Sequence, residues 1–197
     1  MRHTNKNHII SMVTLLALGI FALASPLVHA ETPTEAYIYQ QGDYNLGTIR
    51  QDAQDSRAMQ YQIGSDNTGY IYQYGEGNYS IQFQDGQSNA AFAATIGNNN
   101  TTIQTQFGTD NSLFIWQRGH DNVLFQNQIG SDNRASAWVW GSRNTVTQNQ
   151  IGSGHASRVR IVGDNNAVDH IQFGSGTELT LAHFGDGAAI SVFRFGL

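Results

Sequence analysis

The sequence predicts an all-β fold: a two-sheet parallel β-solenoid of about seven coils, each a 22-residue strand–turn–strand repeat. Three observations predict it. Glycine falls on Gly42, Gly64, Gly75, Gly86, Gly97, Gly108, Gly119, Gly130, Gly141, Gly152, Gly163, Gly174, Gly185 and Gly196, always at multiples of eleven, with Ala53 in the one vacant slot. Amides travel with the glycine in fixed phase. Alternate eleven-residue units differ, so the full period is 22. Loops of varied length would destroy such a phase within two or three elements. A stack of equal coils preserves it.

Residues 1–30 read as a cleaved secretory signal peptide. Arg2 and Lys6 precede an uncharged apolar run from Ile9 to Ala24, and Val28-His29-Ala30 fits a small-x-small cleavage site. The run is short for a membrane span. Residues 31–35 read as a short leader. Residues 36–197 form one array, with no linker or shift in composition.

Within each unit a strand is followed by a turn. Segments such as Leu113-Phe114-Ile115-Trp116-Gln117 and Tyr70-Ile71-Tyr72-Gln73-Tyr74 are rich in β-branched and aromatic residues. The Gly-x-x-Asn that follows is turn chemistry, since both Gly and Asn tolerate positive φ.

Two residues before the glycine slot stand Gln40, Gln51, Gln62, Gln73, Gln84, Gln106, Gln117, Gln128, Gln150 and Gln172. Three residues after it stand Asn45, Asn67, Asn78, Asn89, Asn100, Asn111, Asn122, Asn133, Asn144 and Asn166. Four residues before it, one strand type carries Gln60, Gln82, Gln104, Gln126 and Gln148, then His170 and Val192. The other carries Ile49, Ile71, Ala93, Ile115, Ala137, Val159 and Leu181. Alternation along a strand puts these positions on one face, and their uniformity places that face inside. A buried amide is costly unless bonded. One strand spacing, ~4.8 Å, separates each from its copy in the next coil, so amide ladders satisfy them. The competing reading, a polar surface, does not explain why the amides keep phase with glycine.

The opposite face carries Tyr70, Tyr72, Tyr74, Phe92, Phe114, Trp116, Trp138 and Trp140. Same-sheet stacking would align Tyr70–Phe92–Phe114 and Trp116–Trp138 as a surface aromatic stripe. Such a stripe reads either as an interaction site or as stacking that only stabilises the sheet.

Without residues 1–30 the chain has eight Arg and no Lys against fifteen acidic residues, a net charge of −7. That balance argues against nucleic-acid binding. Cysteine is absent, so no disulfide holds an exported chain together. Proline is absent after Pro33, which suits uninterrupted strands.

The frame resembles the curlins, the subunits of bacterial curli amyloid fibres, whose repeats read Ser/Asn-x5-Gln-x-Gly-x-x-Asn-x-Ala-x3-Gln. Asn67, Gln73, Gly75, Asn78, Ser80 and Gln84 follow it, with serine in the alanine place. Ile71 to Asn78 is close to the family's idealised half-repeat, and Gly42-Asp43-Tyr44-Asn45-Leu46 resembles a repeat of the minor, nucleating curlin. The resemblance covers the array as about seven repeats. It implies a secreted structural subunit of adhesive, biofilm-matrix fibres that are cross-β when assembled. It implies as partners its own copies, other curlins, an outer-membrane secretion pore and periplasmic accessory proteins. The Gly/Asn-rich leader of the major subunit is missing. Near the end His155, Thr177 and Ala188 replace Asn, while Ile161, His183 and Arg194 replace Gln. These departures point to a minor or nucleating subunit, or a paralogue.

No localised set of unlike reactive groups suggests catalysis, and no cofactor, metal or small-molecule substrate is expected. His155, His170 and His183 occupy ladder slots and read as hydrogen-bonding replacements. The alternative to a fibre subunit is a monomeric extracellular solenoid that binds ice or surface glycans. Ice binding needs a flat outward column of Thr, whereas Thr101, Thr105, Thr145 and Thr147 are scattered. A solenoid enzyme needs long loops, and these turns are short. Nothing at Ala36–Gln41 or Ala189–Phe195 blunts the end strands, so head-to-tail stacking is expected. Proline at Ile38 and Val192 is expected to cap the two ends.

Overall fold

A computed structural model describes residues 34–197. The expected signal peptide at 1–30 and most of the expected leader lie outside the described residues. Fifteen strands follow one another: β1 (Glu35–Gln41), β2 (Leu46–Gln54), β3 (Arg57–Ser65), β4 (Thr68–Glu76), β5 (Tyr79–Gln87), β6 (Ala90–Asn98), β7 (Thr101–Thr109), β8 (Ser112–His120), β9 (Val123–Ser131), β10 (Arg134–Trp140), β11 (Thr145–Ser153), β12 (Ala156–Val162), β13 (Ala167–Ser175), β14 (Glu178–Phe184) and β15 (Ala189–Phe195). The odd strands form an eight-stranded sheet in the order β1-β3-β5-β7-β9-β11-β13-β15. The even strands form a seven-stranded sheet, β2 to β14. Every pairing is parallel, and its register matches residue i with i+22, as in Gln82↔Gln104 and Ile71↔Ala93. This is the two-sheet parallel β-solenoid of about seven coils that the period predicts.

The array opens slightly earlier than expected. Glu35 begins β1, its N–H donates to the Ser56 carbonyl at 2.9 Å, and its carboxylate bridges Arg57 at 2.7 Å. Thr34 Oγ1 donates to the Ala53 carbonyl at 3.0 Å. Asn45 makes the equivalent bond to the Gly64 carbonyl at 2.8 Å, so Thr34 already fills an Asn slot.

The turns obey one rule with a correction. Positive φ falls on the glycine slot and on the residue two places later, not on the framed Asn. Asp66, Asp110, Asp121 and Asp132 have φ between 55° and 58°. Asp is among the few residues that tolerate this region, which explains its recurrence there. The glycine column has a second cause. A Cβ on Gly108 would collide with the Gly130 carbonyl oxygen one coil on, and the same holds along most of the column. Ala53 escapes because its φ is not in the left-handed region.

The core is mixed. Ile71, Ala93, Ile115, Ala137 and Val159 are fully buried on the seven-stranded sheet. Across from them the eight-stranded sheet presents buried glutamines. Dispersion and apolar burial hold the first column, and hydrogen bonds the second.

Candidate functional site

Two glutamine columns run up the eight-stranded sheet. In one, Gln40 donates to Gln62 at 2.6 Å, Gln62 to Gln84 at 2.8 Å, Gln84 to Gln106 at 2.9 Å, Gln106 to Gln128 at 3.1 Å, and so through Gln150 to Gln172 at 2.7 Å. In the other, Gln60, Gln82, Gln104, Gln126 and Gln148 are joined at 2.7–3.1 Å. Every bond runs from the side-chain N–H to the carbonyl 22 residues later. The second N–H crosses the interior: Gln82 reaches the Tyr70 carbonyl and Gln84 the Thr68 carbonyl, each at 3.0 Å on the facing sheet. The glutamines therefore bind coil to coil and sheet to sheet. The repeat predicts the first function and is silent on the second.

Asparagine forms two further columns at the turns, pointing the other way. Asn111 Nδ2 donates to Asn89 Oδ1 at 3.1 Å and to the Gly130 carbonyl at 2.8 Å, and its own Oδ1 accepts from Asn133. The same pattern links Asn67 to Asn89 and Asn78 through Asn100, Asn122 and Asn144 to Asn166. All these amides are buried except Gln40, Gln51 and Asn45, which lie half-buried in the first coil.

The third glutamine column, on the seven-stranded sheet, is broken. Gln51 donates to Gln73 at 2.7 Å, and Gln73 turns to Ser80 Oγ at 2.8 Å. Gln117 has Val139 after it in register. Its amide turns back to Thr95 and Thr102, and its carbonyl oxygen is buried without a partner.

His155 and His170 stand in amide slots of the columns. His155 takes the Asn133 Oδ1 on its backbone N–H, and its Nδ1 accepts from Thr177 Oγ1 at 2.8 Å. His170 is fully buried. Gln148 donates to Ser157 Oγ at 2.6 Å, so the Ser157 hydroxyl proton points to His170 Nδ1 at 2.8 Å. The imidazole proton then sits on Nε2, which has no partner among the described residues. Burial, with Arg194 and His155 adding repulsion, lowers the His170 pKa to about 4. Among the described residues no group of three or more acidic or histidine side chains is arranged to hold a metal ion.

The outer faces correct the expected stripe. Tyr70, Phe92 and Phe114 stack as expected, with centroids 5.2 and 5.1 Å apart. Trp116 and Trp138 are in register but their rings do not meet. Trp138 leans onto Phe114 at 5.2 Å, with Arg158 6.0 Å over its ring, while Arg160 lies 5.2 Å over Trp140. The eight-stranded sheet carries a second row that the sequence reading missed: Tyr37 and Tyr39 on Tyr61, Tyr61 on Phe83, and Phe83 on Phe107. The 22-residue spacing of Tyr39, Tyr61 and Phe83 was the available signal.

Both ends expose unpaired strands: β1 and β2 at one end, β14 and β15 at the other. Glu35 and Leu46 N–H groups point into the stack. By alternation the Ile38 N–H therefore faces the open end. At the far end Gly196 donates back to the Phe173 carbonyl, so alternation turns the Val192 N–H inward as well. Val192 is thus the wrong place for an edge-capping proline, and Ser191, whose N–H faces outward, is the right one.

No protein-family model matches the chain, and no curated protein matches it either.

Proposed function

We propose that this chain is an exported structural subunit that polymerises end to end into a cross-β fibre at the bacterial cell surface, in the manner of the curlins it resembles. The observation that carries this reading is the pair of open ends. Each presents unpaired backbone groups together with unfinished side-chain columns, and no proline or lysine among the described strands blunts them. A second copy continues both the backbone ladder and the amide ladders. Its partners are then its own copies and other curlins, with a secretion pore and accessory proteins implied by the resemblance. The departures in the last coils favour a minor or nucleating role.

A monomeric binding module is less well supported. Thr101 lies in register between Tyr79 and Val123, and Thr145 between Val123 and Ala167, so no outward Thr column exists at those positions.

The test is incubation of the purified chain lacking residues 1–30. Unbranched, amyloid-dye-binding fibres with a ~4.8 Å axial reflection are expected. A chain that stays monomeric at every concentration contradicts the proposal.

A further inference from the structure

Eight strands lie in one sheet and seven in the other. A full coil takes one strand from each, so β15 is half a coil. The winding requires its next strand on β14, in the seven-stranded sheet, and the one after that on β15. A second copy set on without rotation puts its β1 on β15. Its β2 then follows one strand position too high, and the outer edge of β14 is left unpaired inside the joint, where orphan N–H and C=O groups are costly. A copy turned by half a turn about the solenoid axis fits both edges. Its eight-stranded sheet continues the seven-stranded sheet of the first. Each turn reverses the chain, and a half rotation reverses strand direction too, so the new pairs remain parallel.

Building on the end-to-end reading above, we propose that successive copies join tail to head with this half turn, β14 receiving β1 and β15 receiving β2 of the next copy.

The side chains at the two ends match this joint. Because every Gln–Gln ladder bond runs from N–H to the later carbonyl, the first members, Gln40 and Gln51, spend their N–H groups inward on Gln62 and Gln73. Their carbonyl oxygens accept nothing among the described residues and face the open end. The last positions of these columns hold His183 and Arg194, which are donors. His183 Nε2 is buried and has no partner among the described residues. The half turn puts His183 opposite Gln40 and Arg194 opposite Gln51 in register, so each column ends on a donor residue facing an acceptor residue once the His183 ring turns out of its buried position. Leu181 then meets Ile38 and Val192 meets Ile49, aliphatic against aliphatic. Without the turn only Arg194 is served, by Gln40, and His183 stays orphaned. A tail-to-tail joint sets donor against donor. One like-charge pair results, Glu178 opposite Glu35, and Glu35 is already bridged by Arg57.

The chain has no cysteine, so paired cysteines read the joint directly. Ser191, Thr48 and Tyr37 are all exposed on the outer faces. With the half turn, Ser191 lies beside Thr48 of the next copy. Without it, Ser191 lies beside Tyr37. Neighbouring parallel strands, ~4.8 Å apart, are within disulfide reach. Fibres of Ser191→Cys/Thr48→Cys and of Ser191→Cys/Tyr37→Cys are grown under reducing conditions, then oxidised and run on a denaturing gel. The first is expected to give a ladder of covalent multimers and the second only monomer. A ladder from the second pair, dimers without a ladder, or no cross-link from the first pair in well-formed fibres overturns the half turn while leaving the fibre intact. Absence of fibres from the parent chain itself overturns the polymer reading, and this proposal with it.

Discussion

Gln82 donates through its side-chain N–H to the carbonyl of Gln104, 2.8 Å away and 22 residues later, and both side chains are buried. The distance is set by the spacing of parallel strands, so identical residues in register always come within bonding reach. A polar interior, which would be a liability in an ordinary core, becomes a chain of satisfied amides along the column from Gln62 to Gln172.

The first expectation concerns these ladders. Gln82→Ala takes the acceptor from the Gln60 N–H and the donor from the Gln104 oxygen and removes the cross-sheet bond to the Tyr70 carbonyl, and Asn111→Ala takes the acceptor from Asn133 and the side-chain donor from the Gly130 carbonyl. Each is expected to cost ~1–3 kcal/mol. Gln87→Ala, at an exposed strand end, is expected to stay within about 0.5 kcal/mol of the parent. Denaturant midpoints of the soluble monomer decide the matter. Equal losses at Gln82 and Gln87 contradict the interior assignment.

Gln117 is the contrasting case. Its carbonyl is already unpartnered, and Thr95 and Thr102 lie 3.2 Å apart, able to bond each other. Gln117→Met, similar in volume, is expected to be neutral or stabilising. Gln106→Met breaks an intact ladder and is expected to lose ~1–3 kcal/mol. The order of the two melting midpoints is the readout, and the reverse order contradicts the account.

His170 gives the fold a pH dependence whose sign is fixed. Its pKa falls from 6.5 to about 4 on folding, so between those values the unfolded chain binds the extra proton. Stability from this group is full above about pH 6.5 and is lost as pH falls toward 4, by up to about 3 kcal/mol. His170→Gln removes the titration and offers Gln148 a ladder partner. Relative to the parent, the variant is expected to gain stability by about that amount between pH 7.5 and pH 4. A difference independent of pH contradicts the buried neutral imidazole.

The position of every strand was legible, because the glycine slot cannot drift without driving a Cβ into the next coil's carbonyl. The interior glutamines were legible for the same reason, as their phase is tied to that slot. Direction was not legible. A period says that Gln82 and Gln104 meet, but not that the N–H points forward while Asn111 points its own back to Asn89. Nor does it show the bond from Gln82 across to the Tyr70 carbonyl, which depends on the separation of the two sheets. The N–H of Val192 faces inward for a reason of parity that only the paired backbone reveals. The aromatic row through Tyr61 and Phe83 was legible in principle.

The central claim, growth through the solenoid ends, is tested most directly by capping both edges. Ile38→Pro removes an outward N–H from β1, and Ser191→Pro removes one from β15. The double variant is mixed with preformed parent fibres, and elongation is followed by dye fluorescence while circular dichroism confirms that the β-rich spectrum is retained. It is expected to remain soluble and to add to no seed. Elongation at the parent's rate by the folded double variant would show that growth uses the outer sheet faces and their aromatic rows instead.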